Sequence, residues 1–340
     1  MCNRKGIDRT NGPALPALPA WRTGLLLFPG LACLIACSGC GTERELLGSE
    51  GRYVFVAFDQ LALPGEAVEL RARIQAGDLL RPVEGAVVRF VRNGRLYRAA
   101  ETDDGGVAAV TFRTDEPGDH GFVAEAAPNG LSAAPPAPRE FVVACRRADE
   151  AMVVVDLDKT LVASGFEQVL IGDPEPMVDS VRVMKRLAGR YEIVYLTHRP
   201  DYFGPKSKSW LNEQGFPEAP LLLSDVSGFL KGSREFKSQV LEGLVSRFHG
   251  LRVGIGDKVS DARAYHEQGI KAVLIIHEPR PATPEALRRL AGEVRDLPSG
   301  IEVVWNWKEV EAAVFEDRSF PPSRIAGTLM DRAGRNGEKK

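Results

Sequence analysis

The stretch Val153-Val154-Val155-Asp156-Leu157-Asp158-Lys159-Thr160 constrains the fold more than any other part of the chain. With Met152, the residues Val153 to Val155 form a continuous apolar run rich in β-branched side chains. That is the pattern of a strand buried on both faces, and hence of a parallel sheet covered by helices. The run leads straight into two aspartates spaced two apart. Side chains at i and i+2 of an extended segment share a side. Carboxylates placed in this way repel one another unless a cation or a proton lies between them.

The chain after Ala151 keeps the same character. MVDSVRVMKRLAGR (177–190) reads as an amphipathic helix, YEIVYLT (191–197) as a strand, and SKSWLNEQ as a helix before the short apolar LLLS. In REFKSQVLEGLVSRF (234–248), Phe236, Val240, Leu241, Leu244, Val245 and Phe248 fall on one helical face. LRVGIGD (251–257), KAVLIIHE (271–278) and IEVVWNW (301–307) are strand candidates, with the helix SDARAYHEQG between the first two. Such alternation predicts an α/β fold, a doubly wound parallel sheet over 151–316. The Arg/Gly/Pro-rich tail, 317–340, is expected to be disordered.

Residues 51–146 differ. YVFVAF, AVELRARI, AVVRFVR, VAAVTFR, GFVAEA and EFVVAC alternate, with LPGE, RNGR, TDDGG and EPGDHG between them. Strands at this spacing predict a small antiparallel β-sandwich. The phrases VEGAVVRF, TDDGGVAAVTF and PGDHGFVAE resemble immunoglobulin-like modules of bacterial surface proteins. No catalytic cluster lies here, so a spacer or a docking module of unknown partner is expected.

At the amino terminus Arg4, Lys5, Arg9 and Arg22 precede the apolar run 25–36, which is too short to span a bilayer but fits a secretory signal over 1–36. Leu34-Ile35-Ala36-Cys37 resembles the lipobox of bacterial lipoproteins. That resemblance implies acylation of Cys37, a tether over 37–50 and attachment to a membrane, in an exported lipoprotein of the periplasm, outer membrane or cell surface. Ordinary signal cleavage after a small residue, or an apolar helix without such a role, is the alternative. Pairing of Cys40 with Cys145 stays open. With 44 basic against 46 acidic residues and a net charge of −2, no nucleic-acid partner is expected.

Polar residues cluster at the carboxyl ends of the predicted strands, where ligands collect in open α/β sheets. The first strand ends in Asp156, Asp158 and Thr160, the second in Thr197-His198-Arg199, and the third in Gly256-Asp257 with Asp261 one helical turn on. Lys237 or Lys231 lies just ahead, with Lys237 favoured because a helix start holds a side chain better than a glycine-flanked loop. Taken singly each has a plain reading, since a strand-end aspartate commonly caps the next helix and a lone lysine is usually solvated. Together and in order, DLDKT, the strand-end Thr197, the lysine and GDKVSD resemble the four motifs of haloacid dehalogenase-like phosphatases.

The resemblance implies Asp156 as a nucleophile that takes the phosphoryl group, with Asp158 as the general acid and base. It implies magnesium held by Asp156, the carbonyl of Asp158, and Asp257, with Asp261 orienting a bound water or the lysine. Thr197 and Lys237 would stabilise the transferring phosphoryl oxygens. Thr160, His198 and Arg199 are candidate substrate contacts, with a local Arg199–Asp201 pair as the alternative for the arginine.

THRPDYFGPKSKSWLNEQGFP, LLLSD, Phe236-Lys237 and AYHEQGI also resemble the carboxy-terminal domain shared by lipins and Nir-type phosphatidylinositol-transfer proteins. In lipins that domain is a magnesium-dependent phosphatidate phosphatase. In Nir-type proteins the second aspartate is lost and the domain binds phosphatidic acid. Both aspartates are present here, so the resemblance implies hydrolysis of phosphatidate or another lipid phosphate. Lys159 between Asp158 and Thr160, and His198 in place of a small residue, depart from the lipin pattern. The segments between Thr160 and Tyr191 and between Thr197 and Lys237 are too short for a large cap, as suits a head group presented by a bilayer. A binding module without turnover, and a phosphatase of soluble or polynucleotide phosphomonoesters, are the alternatives.

Overall fold

The computed structural model describes residues 53–77, 79–164, 174–225, 229 and 232–337. The expected signal, Cys37, the tether, Cys40 and Lys231 lie outside the described residues.

Nine strands build the first region: β1 (Tyr53–Ala57), β2 (Gln60–Ala62), β3 (Ala67–Ala76), β4 (Arg81–Pro82), β5 (Val87–Arg92), β6 (Arg95–Glu101), β7 (Val107–Arg113), β8 (Gly118–Ala126) and β9 (Arg139–Cys145). One sheet holds β1, β3, β4 and β7, and the other runs β2-β9-β8-β5-β6. Alternate residues face inward, as a two-residue period requires. Leu70, Ala72 and Ile74 of β3 meet Phe122 and Ala124 of β8 and Phe141 of β9 in one buried cluster. Phe122 lies opposite Phe141 in register, with ring centroids 5.5 Å apart. The region is not wholly antiparallel as expected, because β2 pairs with β9 in parallel. Cys145 at its end is a buried free thiol.

The second region is an α/β layer structure. Its strands are β10 (Met152–Val155), β11 (Glu192–Pro200), β12 (Leu221–Ser224), β13 (Leu251–Gly256), β14 (Lys271–Ile275) and β15 (Glu302–Val304). Its helices are α1 (Ser180–Ala188), α2 (Gly204–Glu213), α3 (Ser233–Arg247), α4 (Val259–Glu267), α5 (Pro284–Arg295), α6 (Trp307–Phe315) and α7 (Pro322–Gly337). All six strands pair in parallel in the order β12-β11-β10-β13-β14-β15. The order reverses at β10, so the crevice beyond β10 and β13 is the topological switch point.

The apolar run explains itself in this setting. Met152 and Val154 join a core layer with Leu241 of α3, Tyr265 of α4 and Leu287 of α5. Val153 and Val155 join the opposite layer with Val183 of α1, Trp210 of α2 and Val310 of α6. A side chain buried in this way is worth about 1.5–3 kcal/mol, so no position of the strand tolerates a polar residue cheaply. Gly254 of β13 is needed for a different reason. A Cβ there would meet the Tyr265 ring at 2.3 Å, so the strand leaves that space for the α4 aromatic.

Two expectations are corrected, and one helix is added. The tail is not disordered between 322 and 337, where α7 buries Ile325, Ala326, Leu329 and Ala333 against the core layer that contains α5. These apolar residues are spaced for one helical face, a pattern that the arginines and glycines around them hide. The strand expected over 301–307 is only β15, because Asn306 accepts a hydrogen bond from Glu309 N and starts α6 at Trp307. Helix α5, which the sequence reading left out, is capped by Thr283 and begins with Pro284.

The two regions share a core. Leu61 and Ala144 of the β-region pack into the layer that holds Met152 and Val154. Arg247 of α3 donates to Leu61 O at 2.9 Å and pairs with Glu66 at 2.5 Å.

Candidate active site

Asp156 follows β10, and its N–H still donates to Ile255 O of β13 at 3.0 Å, so the sheet itself fixes where the carboxylate stands. Asp257 follows β13, and Asp261 lies in the first turn of α4. One carboxylate oxygen from each of these three residues lies within 4.8 Å of the others. Lys237 reaches the group from α3 with its ammonium 2.9 Å from Asp156 Oδ1 and 2.5 Å from Asp261 Oδ2. Asp156 is 3% exposed and Lys237 2%.

Three carboxylates around one ammonium leave an excess of negative charge in a buried place. Burial pulls the lysine's pKa down, but Asp156 and Asp261 outweigh it and hold the ammonium above its usual range. Burial pushes the Asp156 carboxyl up, against the pull of Lys237, and the Asp261 and Asp158 carboxylates add to the rise. Burial, then the charges of Asp156 and Asp261, push Asp257 up to about 7. Asp257 Oδ1 is buried without a hydrogen-bond partner. An all-oxygen donor set with surplus negative charge and an orphaned oxygen fits a hard divalent cation such as magnesium.

Asp158 stands outside this group. The backbone turns just beyond Asp156, where Leu161 N and Val162 N both donate to Leu157 O and Lys159 takes φ 55°. His277 bonds the Lys159 carbonyl at 2.5 Å, with its ring nitrogen donating. Asp158 faces Arg199, which donates Nη2–H to Oδ1 at 2.7 Å and Nε–H to Oδ2 at 3.0 Å. Arg199 Nη1 donates to Ser207 Oγ at 2.9 Å. The cation beside the second carboxylate is therefore a guanidinium.

Two expectations change here. Arg199 is 2% exposed and committed to Asp158 and Ser207, so it orients Asp158 and is not placed to contact substrate. It does not pair with Asp201 either, whose partner is Arg73 of β3. Thr160 is fully buried, with its hydroxyl 3.4 Å from Asp156 Oδ2, and its carbonyl accepts from Trp307 Nε1 at 2.8 Å. It faces the carboxylate and not the solvent.

Thr197 and His198 lie where the pairing of β11 with β12 breaks register, between Leu196 and Pro200. Thr197 Oγ1 is 3.5 Å from Asp158 Oδ2 and accepts from Arg199 N at 3.3 Å. His198 stacks on Phe229 with centroids 5.0 Å apart and leans on Phe236. Sequence reasoning missed Ser207 and Tyr265. The Tyr265 hydroxyl is buried without a partner, and the Lys237 charge acts on it. Nothing in local spacing marks these residues, because each acts on a group brought close by the fold.

A single stretch runs from β10 to β14 and carries Asp156, Asp158, Thr197, Lys237, Asp257 and Asp261. Residues 153–276 match the family model described as PITM 1-3, LNS2 domain. The LNS2 match thus covers the whole acidic group and leaves out the β-region. The mouse (Mus musculus) "Membrane-associated phosphatidylinositol transfer protein 2" is 24% identical over 235 residues, which is 68% of this chain and 16% of that protein. The chain therefore spans about a sixth of that relative's length. Among solved structures, the fibronectin(III)-like modules of Clostridium thermocellum CbhA align at 14% identity over 29% of this chain and 48% of theirs, with a TM-score of 0.22. A Bifidobacterium dentium beta-glucuronidase aligns at 12% identity over 73% of this chain and 42% of its own, with a TM-score of 0.26. Neither likeness carries a structural argument. Among the described residues no helix is long and apolar enough to cross a membrane.

Proposed function

We propose that the LNS2-like segment is a phosphomonoester hydrolase of the haloacid dehalogenase type, acting on phosphatidate or a related lipid phosphate. One observation carries the reading: Asp156, Asp257 and Asp261 converge within 4.8 Å at the switch point of the sheet. Magnesium held by Asp156, Asp257 and the Asp158 carbonyl would supply neutralisation of the charge that builds up when an anion attacks an anion.

The chain's own residues do the rest. The Asp156 carboxylate attacks phosphorus, the ester P–O bond breaks, and the leaving alkoxide takes a proton from Asp158. Asp158 then accepts a proton from the water that hydrolyses the aspartyl-phosphate. Lys237 and the Thr197 hydroxyl offset charge on the phosphoryl oxygens, and Asp261 holds the lysine in place. His198, with Phe229 beside it, is assigned to the substrate rim.

The lipid substrate is supported by the LNS2 match and by the name of the mouse relative, a phosphatidylinositol transfer protein associated with membranes. The shortness in sequence of the segments between Thr160 and Tyr191 and between Thr197 and Lys237, too short for a large cap, supports the same reading. Acylation of Cys37 would hold the enzyme at that surface and raise its effective concentration. Cys37→Ala should then move the protein out of the membrane fraction.

A second reading is a phosphatidate-binding module without turnover. It is favoured by the resting ion pairs, since Lys237 sits on Asp156 and Arg199 grips Asp158. Phosphate release from an aryl phosphate and from phosphatidate vesicles, with and without magnesium, separates the two. Hydrolysis requires release with magnesium and its loss in Asp156→Asn. Vesicle binding by the wild type with no release in any condition would establish the second reading.

A further inference from the structure

We propose that the β-region is a clamp that presets the Arg199–Asp158 pair, with Arg73 and Asp59 as positioning residues. The inference rests on the hydrolytic reading for its rate consequences and on geometry for its substance.

Two of the attachments that hold Arg199 lead to the β-region. Its backbone leads, two residues on, into the 3-10 turn Asp201–Phe203. Asp201 there is fully buried, and its Oδ1 pairs with Arg73 of β3, which is itself almost buried. The other oxygen, Oδ2, is buried without a partner. With Arg73 removed, that carboxylate would lose its cation at a fully buried position, and the turn would lose its tie to β3.

The side chain of Arg199 ends on Ser207 of α2, and the next residue, Lys208, is held by Asp59 at 2.6 Å. Asp59 is a junction rather than a surface charge. Its Oδ1 also accepts from Val142 N at 2.9 Å, within the β-region. Its Oδ2 accepts from Leu221 N at 2.9 Å, at the start of β12. One buried carboxylate therefore ties β9, α2 and β12 together.

Both bridges bracket the same guanidinium, and that guanidinium orients Asp158 through two hydrogen bonds. A bidentate fork transmits orientation because rotating the guanidinium breaks one of its two bonds. A proton donor displaced by even 1 Å costs a transfer step heavily. The bonds of Arg73 and Asp59 go to Asp201, Lys208, Val142 and Leu221 and not to the acidic group, so their path to Asp158 runs through Arg199.

The test uses the full chain with Arg73→Gln, Arg73→Lys and Asp59→Asn. The readouts are kcat and KM on an aryl phosphate with magnesium, amide hydrogen exchange and the melting temperature. For Arg73→Gln we expect kcat to fall by about tenfold or more with KM little changed. Exchange should quicken within residues 198–208, and Arg73→Lys, which keeps the charge, should recover most of the rate. Asp59→Asn, a milder change, should quicken exchange over 204–224. Unchanged rate and exchange in both Arg73→Gln and Asp59→Asn would overturn the clamp. So would faster exchange spread over the whole chain with no recovery in Arg73→Lys. If the wild type releases no phosphate, the hydrolytic reading fails, and exchange decides the clamp alone: local quickening at 198–208 sustains it and its absence ends it.

Discussion

Asp257 is held in the acidic group at a cost to its charged form. Its Oδ1 has no donor, and burial and two neighbouring carboxylates push its pKa up to about 7. A group held that way opposes folding in its charged form, and a cation removes the opposition. The metal-free Asp257→Asn variant should therefore melt above the metal-free wild type, by the equivalent of about 1 kcal/mol, as happens when function rather than stability places a charge. Magnesium or manganese at a hundredfold excess over its Kd should add about 2.7 kcal/mol to the wild type and nothing comparable to the variant. Calorimetric melts with and without the metal check both halves. A wild type indifferent to divalent ions would remove the metal from the site.

Elements are held by contacts that sequence distance conceals. Glu311 of α6 accepts from Arg182 Nη1 at 2.9 Å, Arg182 Nη2 at 2.8 Å and Arg186 Nη1 at 2.6 Å, and so ties α6 to α1. Those bonds hold its carboxyl down to about 2. A depressed carboxyl stabilises the fold above its unfolded value of 4.5 and loses that contribution as pH falls toward about 2. The stability difference between wild type and Glu311→Gln, measured by urea unfolding, should be present at pH 7 and vanish across that window. The tie lies at the surface, so it should be worth no more than about 1 kcal/mol.

The last helix is a larger matter. Truncation after Asp317 would strip Ile325, Ala326, Leu329 and Ala333 from the core layer. It should cost several times the ~1.5–3 kcal/mol of a single buried side chain and yield aggregated protein on gel filtration. Full solubility and an unchanged melt would show that α7 is dispensable.

At the scale of the whole molecule, the β-region and the α/β region are parts of one folded unit. Leu61 and Ala144 cross from one into the core of the other, and Arg146, just after β9, pairs with Asp119 at 2.6 Å and with Glu192 of β11 at 2.7 Å. Both regions should unfold in one transition. Lys208→Met would remove the cation from the buried Asp59 carboxylate, which keeps its two amide donors. A loss of about 2 kcal/mol is expected, with the transition still single. Two separate transitions in the wild type would show that the regions fold independently.

Much of this was legible in the sequence. An uninterrupted apolar strand needs cover on both faces, and strand–helix alternation supplies it, so the parallel sheet followed from burial and period alone. The same reasoning set Asp156 and Asp257 at strand ends and Lys237 at a helix start, because a period places residues along an element. It could not assign partners among like charges. Asp158 lies two residues from Asp156 yet belongs to Arg199, because the chain turns at Lys159 and brings its carboxylate to the guanidinium. Arg199 reads from the sequence as a substrate contact, with Asp201 as the alternative partner by proximity, but it grips Asp158, and Asp201 belongs to Arg73, 128 residues away. Local pattern determines which residues are buried and which face they take. Which charge neutralises which is decided only when the whole fold brings distant partners together, because a buried ion settles on the partner that best repays its desolvation.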